Sequence, residues 1–323
     1  MQTQIERQTD AVPSRLLQAM RWCCAALAVC LLLPGCDRGA DSTNRHPDGK
    51  LQVYVDSYPL AYFAERIVGD RAEVVLPVPG DAAPAFWRPS ETDIAAYQQA
   101  DLILLNGAGF AKWTEQVSLP ESRTVDTSAG FRDRYIEVKD AVTHSHGPGG
   151  EHTHGGTASV TWLDFQQAAE QARRVHQALL DLLPDDADEL HANFATLEAD
   201  LADLDKRMQT LAEQIGDAPL IASHPSYQYW TRRYKLNVES VDWDYREAPK
   251  KRWLARLRIK LEDGHPAKWI IWEAEPVPEA VQRVSELGLE SVVFDPCANR
   301  PSTGDWLTAM QGNLEQLKKL TVK

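Results

Sequence analysis

Four histidines, His144, His146, His152 and His154, fall within eleven residues of the stretch HSHGPGGEHTHGG, broken up by glycine and proline. Imidazole is a good donor to zinc, copper and nickel, and clustered imidazoles on a loop can catch such ions without a folded cage. The segment points to metal; the alternative is a low-complexity insertion that meets metal only by accident. Three further candidates stand at the ends of short apolar runs: His224 in PLIASH, Glu273 in KWIIWE and Asp295 in SVVFDP. If those runs are strands of an open parallel sheet, the three residues lie beyond the carboxyl ends, where such folds bind ligands. For His224 the competing role is a core or helix-capping histidine. Imidazole and carboxylate donors without a thiol or thioether cluster favour zinc over copper(I), while manganese prefers more oxygen ligands. Zinc is the expected ion, with manganese or another divalent transition metal open.

The elements that must position these residues alternate. LQVYVD reads as a strand, YPLAYFAERIVG as a helix closed by Gly69, AEVVLPV as a strand, SETDIAAYQQA as a helix opened by Ser90, and DLILLNG as a buried strand. After a helical middle from Trp162 to Gly216, the alternation resumes through PLIASH, YQYWTRRY, VESVDW, a helix from Pro249 to Glu262, KWIIWE, PEAVQRVSELG and SVVFDP. Such β-α repetition implies parallel sheets covered by helices. Within the middle, Leu190, Phe194, Leu197, Leu201, Leu204, Met208, Leu211 and Ile215 are spaced alternately by four and three. That stripe predicts one long amphipathic helix over 185–215, about 45 Å at about 1.5 Å per residue. A coiled-coil dimer is the alternative, but a stripe ending at Gly216 inside an α/β chain favours packing within a monomer. The expected organisation is an N-terminal lobe over 51–140, a His-rich loop over 141–160, a helical spacer over 161–216 and a C-terminal lobe over 217–323.

The first residues are of another kind. Arg15 and Arg21 precede the apolar run CCAALAVCLLL, which stops at PGCD. Eleven apolar residues are too few to span a bilayer, so 1–35 reads as a signal peptide. LPGC resembles a lipoprotein cleavage box, with Cys36 the lipidated residue, 36–50 a polar tether, and Asp37 suggesting retention at the inner membrane. An ordinary secretory signal is the alternative. Of five cysteines, three leave with the signal and Cys36 takes lipid, so Cys297 alone remains and no internal disulfide can form. At 323 residues, 43% hydrophobic, and with a net charge of -13, the chain is an ordinary globular protein. Its charge argues against nucleic-acid binding.

SYPLAYFAERIVGDRAEV, ADLILLNGAGFAKW, ASHPSYQYWTRRYKL, AKWIIWEAEP and GNLEQLKKL together resemble, in order, the zinc/manganese-type substrate-binding lipoproteins of bacterial ABC importers. The resemblance spans about residues 50–320. It implies two α/β lobes joined by a rigid backbone helix, metal held in the cleft between them, and delivery to a membrane permease and its ATPase. The periplasmic face of the inner membrane is the implied location. The family site is usually three histidines and a carboxylate. His224 matches the third histidine and Asp295 the carboxylate, with Glu273 a possible assistant. The first histidine has no counterpart in PGDAAPAFWRPSE, and Val160 stands in the place of the second.

Two protein donors do not hold zinc against water, because a closed tetrahedral site needs four ligands, or three plus solvent. His154 lies six residues before Val160, a distance an extended chain covers with roughly 20 Å of reach. His152 and His154, or another pair among His144, His146, His152 and His154, are therefore expected to supply the missing donors, with Asp81 the first substitute in PGDAAPAFW. Two other functions compete: a periplasmic metal buffer or chaperone working without a permease, and a zinc hydrolase with Glu273 as general base. No H-E-x-x-H or comparable motif supports the hydrolase, and the chain is expected not to be an enzyme.

Overall fold

The computed structural model describes residues 49–138, 143–145, 151–153 and 156–321; the signal segment, Cys36, His146 and His154 lie outside the described residues. Two four-stranded sheets form the two lobes. The first comprises β1 (Leu51–Val55), β2 (Ala72–Val75), β3 (Leu102–Leu105) and β4 (Thr124–Asp126), in the order β2-β1-β3-β4. After four short strands, β5 (Glu137–Val138), β6 (Thr143–Ser145), β7 (Glu151–Thr153) and β8 (Gly156–Thr157), comes the second sheet. It comprises β9 (Pro219–Ala222), β10 (Asn237–Ser240), β11 (Trp269–Trp272) and β12 (Glu290–Val293), ordered β10-β9-β11-β12. All pairings within both sheets are parallel. Each sheet reverses its strand order beside its first strand, β1 or β9, and that switch point is where a doubly wound sheet opens a crevice for ligand.

The helices are α1 (Tyr58–Val68), α2 (Glu91–Gln99), α3 (Phe165–Leu182), α4 (Ala187–Ile215), α5 (Gln228–Tyr234), α6 (Lys251–Glu262), α7 (Pro278–Ser285) and α8 (Trp306–Leu317). Their ends follow local chemistry. Ser90 and Asp93 form a reciprocal capping box on α2, and Asp164 accepts from the amides of Gln166 and Gln167 to start α3. The 29-residue α4 begins after the single turn Pro184–Asp186. All eight residues of its expected stripe are buried, Leu197 and Leu204 completely, each such leucine contributing about 2 kcal/mol. Its stop is Gly216, at φ 61°, a left-handed position that costs glycine little. None of the helices among the described residues is long and apolar enough to cross a membrane.

One hydrophobic cluster runs through both lobes, joining Val53 and Phe63 of the first, Leu197 and Leu204 of α4, and Ile271, Phe294 and Trp306 of the second. The other face of the second sheet carries a smaller cluster of Ile221, Ile270, Trp272, Leu257 and Val284. Alternate residues of β9 and β11 serve opposite faces, as the pleat requires. Polar bonds also cross between the lobes: Trp162 Nε1 donates to Pro296 O at 2.7 Å, Tyr229 Oη to Ala158 O at 2.9 Å, and the Tyr58 amide to Ala298 O at 2.8 Å. The shared core and these bonds fix the cleft walls against one another.

Candidate metal centre

A cleft of about 420 Å³ opens between the lobes, and His224, Glu273, Asp295 and Asp81 all line it. Three of the four come from strand ends of lobe two. Beyond β9 the chain continues as Ser223–His224, held by the Ser223 amide on Ile271 O at 2.8 Å. Glu273 follows β11 directly, and Asp295 lies two residues past β12. His224 and Glu273 therefore flank the switch point of the second sheet. His224 is buried, with 7% of its surface exposed.

The parallel register places a fourth side chain that the sequence reading did not single out. Ser240 pairs with Ala222, and the amides of Val241 and Trp243 bond Ala222 O and Ser223 O, each at 2.8 Å. Asp242 is thereby carried alongside His224, its Oδ1 3.4 Å from the ring Nδ1. Asp244, gripped by Arg246 through Nε and Nη2 at 2.9 and 2.7 Å, lines the cleft beyond it. The signal was present in the sequence, because VESVDWD ends a strand as PLIASH does, and the same strand-end rule selects its aspartates. Burial opposes charge on the His224 ring, but Glu273, then Asp242 and Asp244, outweigh it and raise the ring's pKa above 6.5. A carboxylate on one imidazole nitrogen leaves the other as the basic one, which is how metal-binding histidines are usually oriented.

Asp295 is held by its backbone: its amide donates to Asn313 Oδ1 at 3.0 Å, and Asn313 Nδ2 donates to its carbonyl at 2.7 Å. The Cys297 amide donates to Asp295 Oδ1 at 2.6 Å, a geometry reached with Cys297 at φ 54°, an uncommon conformation for a side-chain-bearing residue. Burial raises the Asp295 pKa, the Cys297 amide lowers it, and repulsion from Glu273 raises it again. The Cys297 thiol is itself buried and pushed up by that burial, so it offers little thiolate for a metal.

Lobe one presents a different end. At its switch point stands Asp56, 2% exposed, accepting from the Asn106 amide at 3.0 Å. Asn106 Nδ2 donates to Ser159 O at 2.9 Å, while Gln171 Nε2 donates to Asn106 Oδ1 at 3.0 Å and Thr127 Oγ1 at 2.9 Å. Gly107 packs so closely here that a Cβ would come within 2.0 Å of Asp126 Oδ1. The position that holds donors in lobe two is thus closed by a polar network in lobe one. What lobe one shows the cleft is the loop with Asp81, together with Phe86, Phe110, Lys112 and Val160. Asn299 of lobe two clamps that loop, its Nδ2 donating to Pro79 O at 2.7 Å and Ala82 O at 2.9 Å.

The described parts of the His-rich segment form two antiparallel strand pairs. Its stem pairs β5 with β8, Glu137 opposite Thr157 and Val138 opposite Gly156, and Val138 and Thr157 line the cleft. Between them in sequence β6 pairs with β7, with His144 the backbone partner of His152. Among the described residues, no group of three or more His, Cys, Asp or Glu side chains is gathered closely enough to hold a metal ion. His224, Glu273 and Asp295 share one cleft without closing into such a group.

The model of the family of periplasmic zinc-uptake complex component A proteins (ZnuA) matches residues 53–320. The high-affinity zinc uptake system protein ZnuA of Bacillus subtilis is 26% identical over 308 residues, covering 90% of this chain and 95% of that protein. Among solved structures, the metal-dependent lipoprotein YcdH of Bacillus subtilis aligns with a TM-score of 0.70 at 23% identity, over 84% of this chain and 98% of that one. Zn(II)-bound AdcA of Streptococcus pneumoniae aligns with a TM-score of 0.71 at 20% identity, over 85% of this chain. The match covers 58% of AdcA, so the chain spans a little over half of that longer protein.

Proposed function

The chain belongs to the ZnuA family of periplasmic zinc-uptake components, and on that premise we propose that it captures zinc in the cleft between its lobes and hands it to an ABC permease with its ATPase. The observation that carries the reading is the convergence of His224, Glu273 and Asp295, from three strand ends, on one interlobe cleft. His224 and Asp295 serve as ligands and Glu273 assists. Asp242 orients the His224 ring so that Nε2 meets the metal. The remaining donors come from the His-rich hairpin, His144, His146, His152 or His154, whose stem forms part of the cleft wall; failing those, Asp81 supplies one. The cleft has room for the ion and for donor groups brought in from the hairpin. Capture is exchange of water for protein ligands, and no covalent step is required, so the chain acts as a binding component and not an enzyme. It works as a monomer, tethered by lipid on Cys36 to the periplasmic face of the inner membrane.

Calorimetric titration of metal-free protein with zinc tests the reading. His224→Ala should weaken the tight site by more than the roughly 10- to 100-fold that follows loss of a residue merely supporting a ligand. Near-native affinity in that variant would refute the assignment.

A further inference from the structure

Helix α6 runs against the charge of the rest of the chain. The protein holds 34 basic and 47 acidic residues, yet Lys250, Lys251, Arg252, Arg256, Arg258 and Lys260 occur with no carboxylate between Lys250 and Leu261. Packing accounts for one side of the helix: Leu257 is buried, and Trp253, Leu254 and Leu261 lean on the second sheet's smaller cluster. The opposite side, Lys251, Arg252, Arg256, Arg258 and Ile259, is exposed. Lys260 is paired with Glu239, whereas the other five cations make no ion pair among the described residues.

The fold gains little from this arrangement beyond the contacts of Arg252 and Arg256 with the Trp253 ring. The first turn of α6 contains no acid, and cations at a helix N-terminus oppose the helix dipole. A local rule broken without a structural return is a mark of function. Two apolar features accompany the charges. Ile259, 57% exposed, is the one exposed large hydrophobic side chain among the described residues. Trp253 sits against the guanidinium groups of Arg252 and Arg256, at 5.4 and 5.2 Å from its ring centre.

We propose that this face of α6 docks on an anionic phospholipid surface. A helix with cations on its outer face and the aliphatic side chain of Ile259 among them matches the composition of helices that lie at a bilayer interface. Charge complementarity selects the occupant: against a net charge of -13 for the whole chain, the basic face of α6 is the side an anionic surface attracts. Lys250 follows Arg246, a cleft-lining residue, by only four positions. Docking therefore keeps the cleft near the bilayer in which a permease sits. That last consequence rests on the zinc-capture reading; the docking itself does not.

All core residues fall between Val53 and Leu320, and residues 44–323 form one compact unit, so a chain of 44–323 carries the whole folded body. It also lacks Cys36, which removes any lipid anchor from the measurement. The experiment is co-sedimentation of this chain with vesicles of phosphatidylcholine containing about one-third phosphatidylglycerol, against vesicles of phosphatidylcholine alone. The anionic vesicles should bind the parent and the neutral ones should not, with binding lost in half-molar salt. Each cation near an anionic surface is worth about fivefold in partition. The combined variant K251E/R252E/R256E/R258E should therefore lose at least on the order of several hundredfold, while its zinc affinity stays at the parent's value. K251E/R258E, which keeps the Arg252 and Arg256 contacts with Trp253, serves as the stability control: its melting temperature should not fall, and a fall would assign the cations to the fold and overturn the proposal. Equal vesicle binding by parent and variant, or none by the parent, would also overturn it. If the parent ignores vesicles but crosslinks through α6 to the permease, the occupant is an acidic protein face and the lipid assignment fails. Loss of zinc binding in His224→Ala with vesicle binding intact would separate failure of one reading from failure of the other.

Discussion

Asp56 is the most consequential buried charge outside the cleft. Burial lifts its pKa from 3.8 to about 7, against the opposing effect of the Asn106 amide. The folded protein therefore holds the Asp56 proton far more tightly than the unfolded chain does. Below about pH 4 the carboxyl is protonated in both states and its ionisation costs nothing. Between about pH 4 and pH 7 the unfolded chain ionises first, so folding stability declines as pH rises. Above about pH 7 both states are ionised and the whole penalty is present. Three pKa units at about 1.4 kcal/mol each amount to about 4 kcal/mol. Asp56→Asn removes the ionisation while keeping a carbonyl oxygen to accept from the Asn106 amide, now at 3.0 Å. Urea unfolding of parent and variant, both metal-free, should be followed by circular dichroism from about pH 4 to pH 8. The stability difference, variant minus parent, should grow in the variant's favour by about 4 kcal/mol across that range. Any constant packing cost of the amide cancels in the comparison between pH values, as do other carboxylates common to both proteins. A difference that stays flat with pH would refute the argument, because it would mean that the Asp56 environment accepts the charge as readily as water does.

Three further outcomes are expected. Deleting residues 144–154 should lower zinc affinity at the tight site to a degree similar to His224→Ala, and combining the two should add little, as for residues in one unit; titration showing one full tight site and loss of weak sites only would make the hairpin a collector of metal and pass the donor role to Asp81. Asp242→Ala should weaken zinc by roughly 10- to 100-fold and shift the His224 ring, read by nitrogen NMR of metal-free protein, toward the tautomer protonated on Nε2, whereas Asp242→Glu should restore part of both; an unchanged ring and affinity would limit Asp242 to packing. Cys36→Ser should release the protein from the membrane fraction, and membrane association that persists without attached lipid would show that the anchor lies elsewhere.

How much of this was legible in the sequence follows from the range of the interactions involved. The stripe Leu190 to Ile215 is a repeat within one helix, and the period of 3.6 makes it visible without any partner. His224, Glu273 and Asp295 were legible because each ends its own strand, a local pattern that the parallel topology turns into a shared location. Asp242 and Asp244 obey the same rule, but an aspartate in a turn after a strand has so many local uses that only the pairing of Ser240 with Ala222 sets it apart. The network around Asn106 was not legible at all. It joins Asp56, Thr127, Ser159 and Gln171, up to 65 residues from Asn106 in sequence, and nothing in any one segment announces the others.

That network marks a difference between the two lobes at corresponding places in their sheets. Both sheets have the same strand order and the same switch point, so the strand ends beside that point can be compared between the lobes. Lobe two fills its place with His224 and Glu273. Lobe one fills its place with Asp56 bound to the Asn106 amide, buried to 2% exposure and turned into the protein. The residues it leaves for the cleft, Phe86, Phe110, Lys112 and Val160, are apolar or cationic and poor partners for a divalent ion. Among the described residues, the acid it offers the cleft is Asp81, on a loop clamped by Asn299. A tight site then needs donors from a segment that is free of lobe one's sheet yet joined to the cleft. The His-rich hairpin meets both conditions, since its stem strands β5 and β8 pair with each other and not with the first sheet, and both line the cleft. On the proposed reading the imidazoles at 144–154 supply donors that lobe one does not, and the deletion experiment tests that dependence directly.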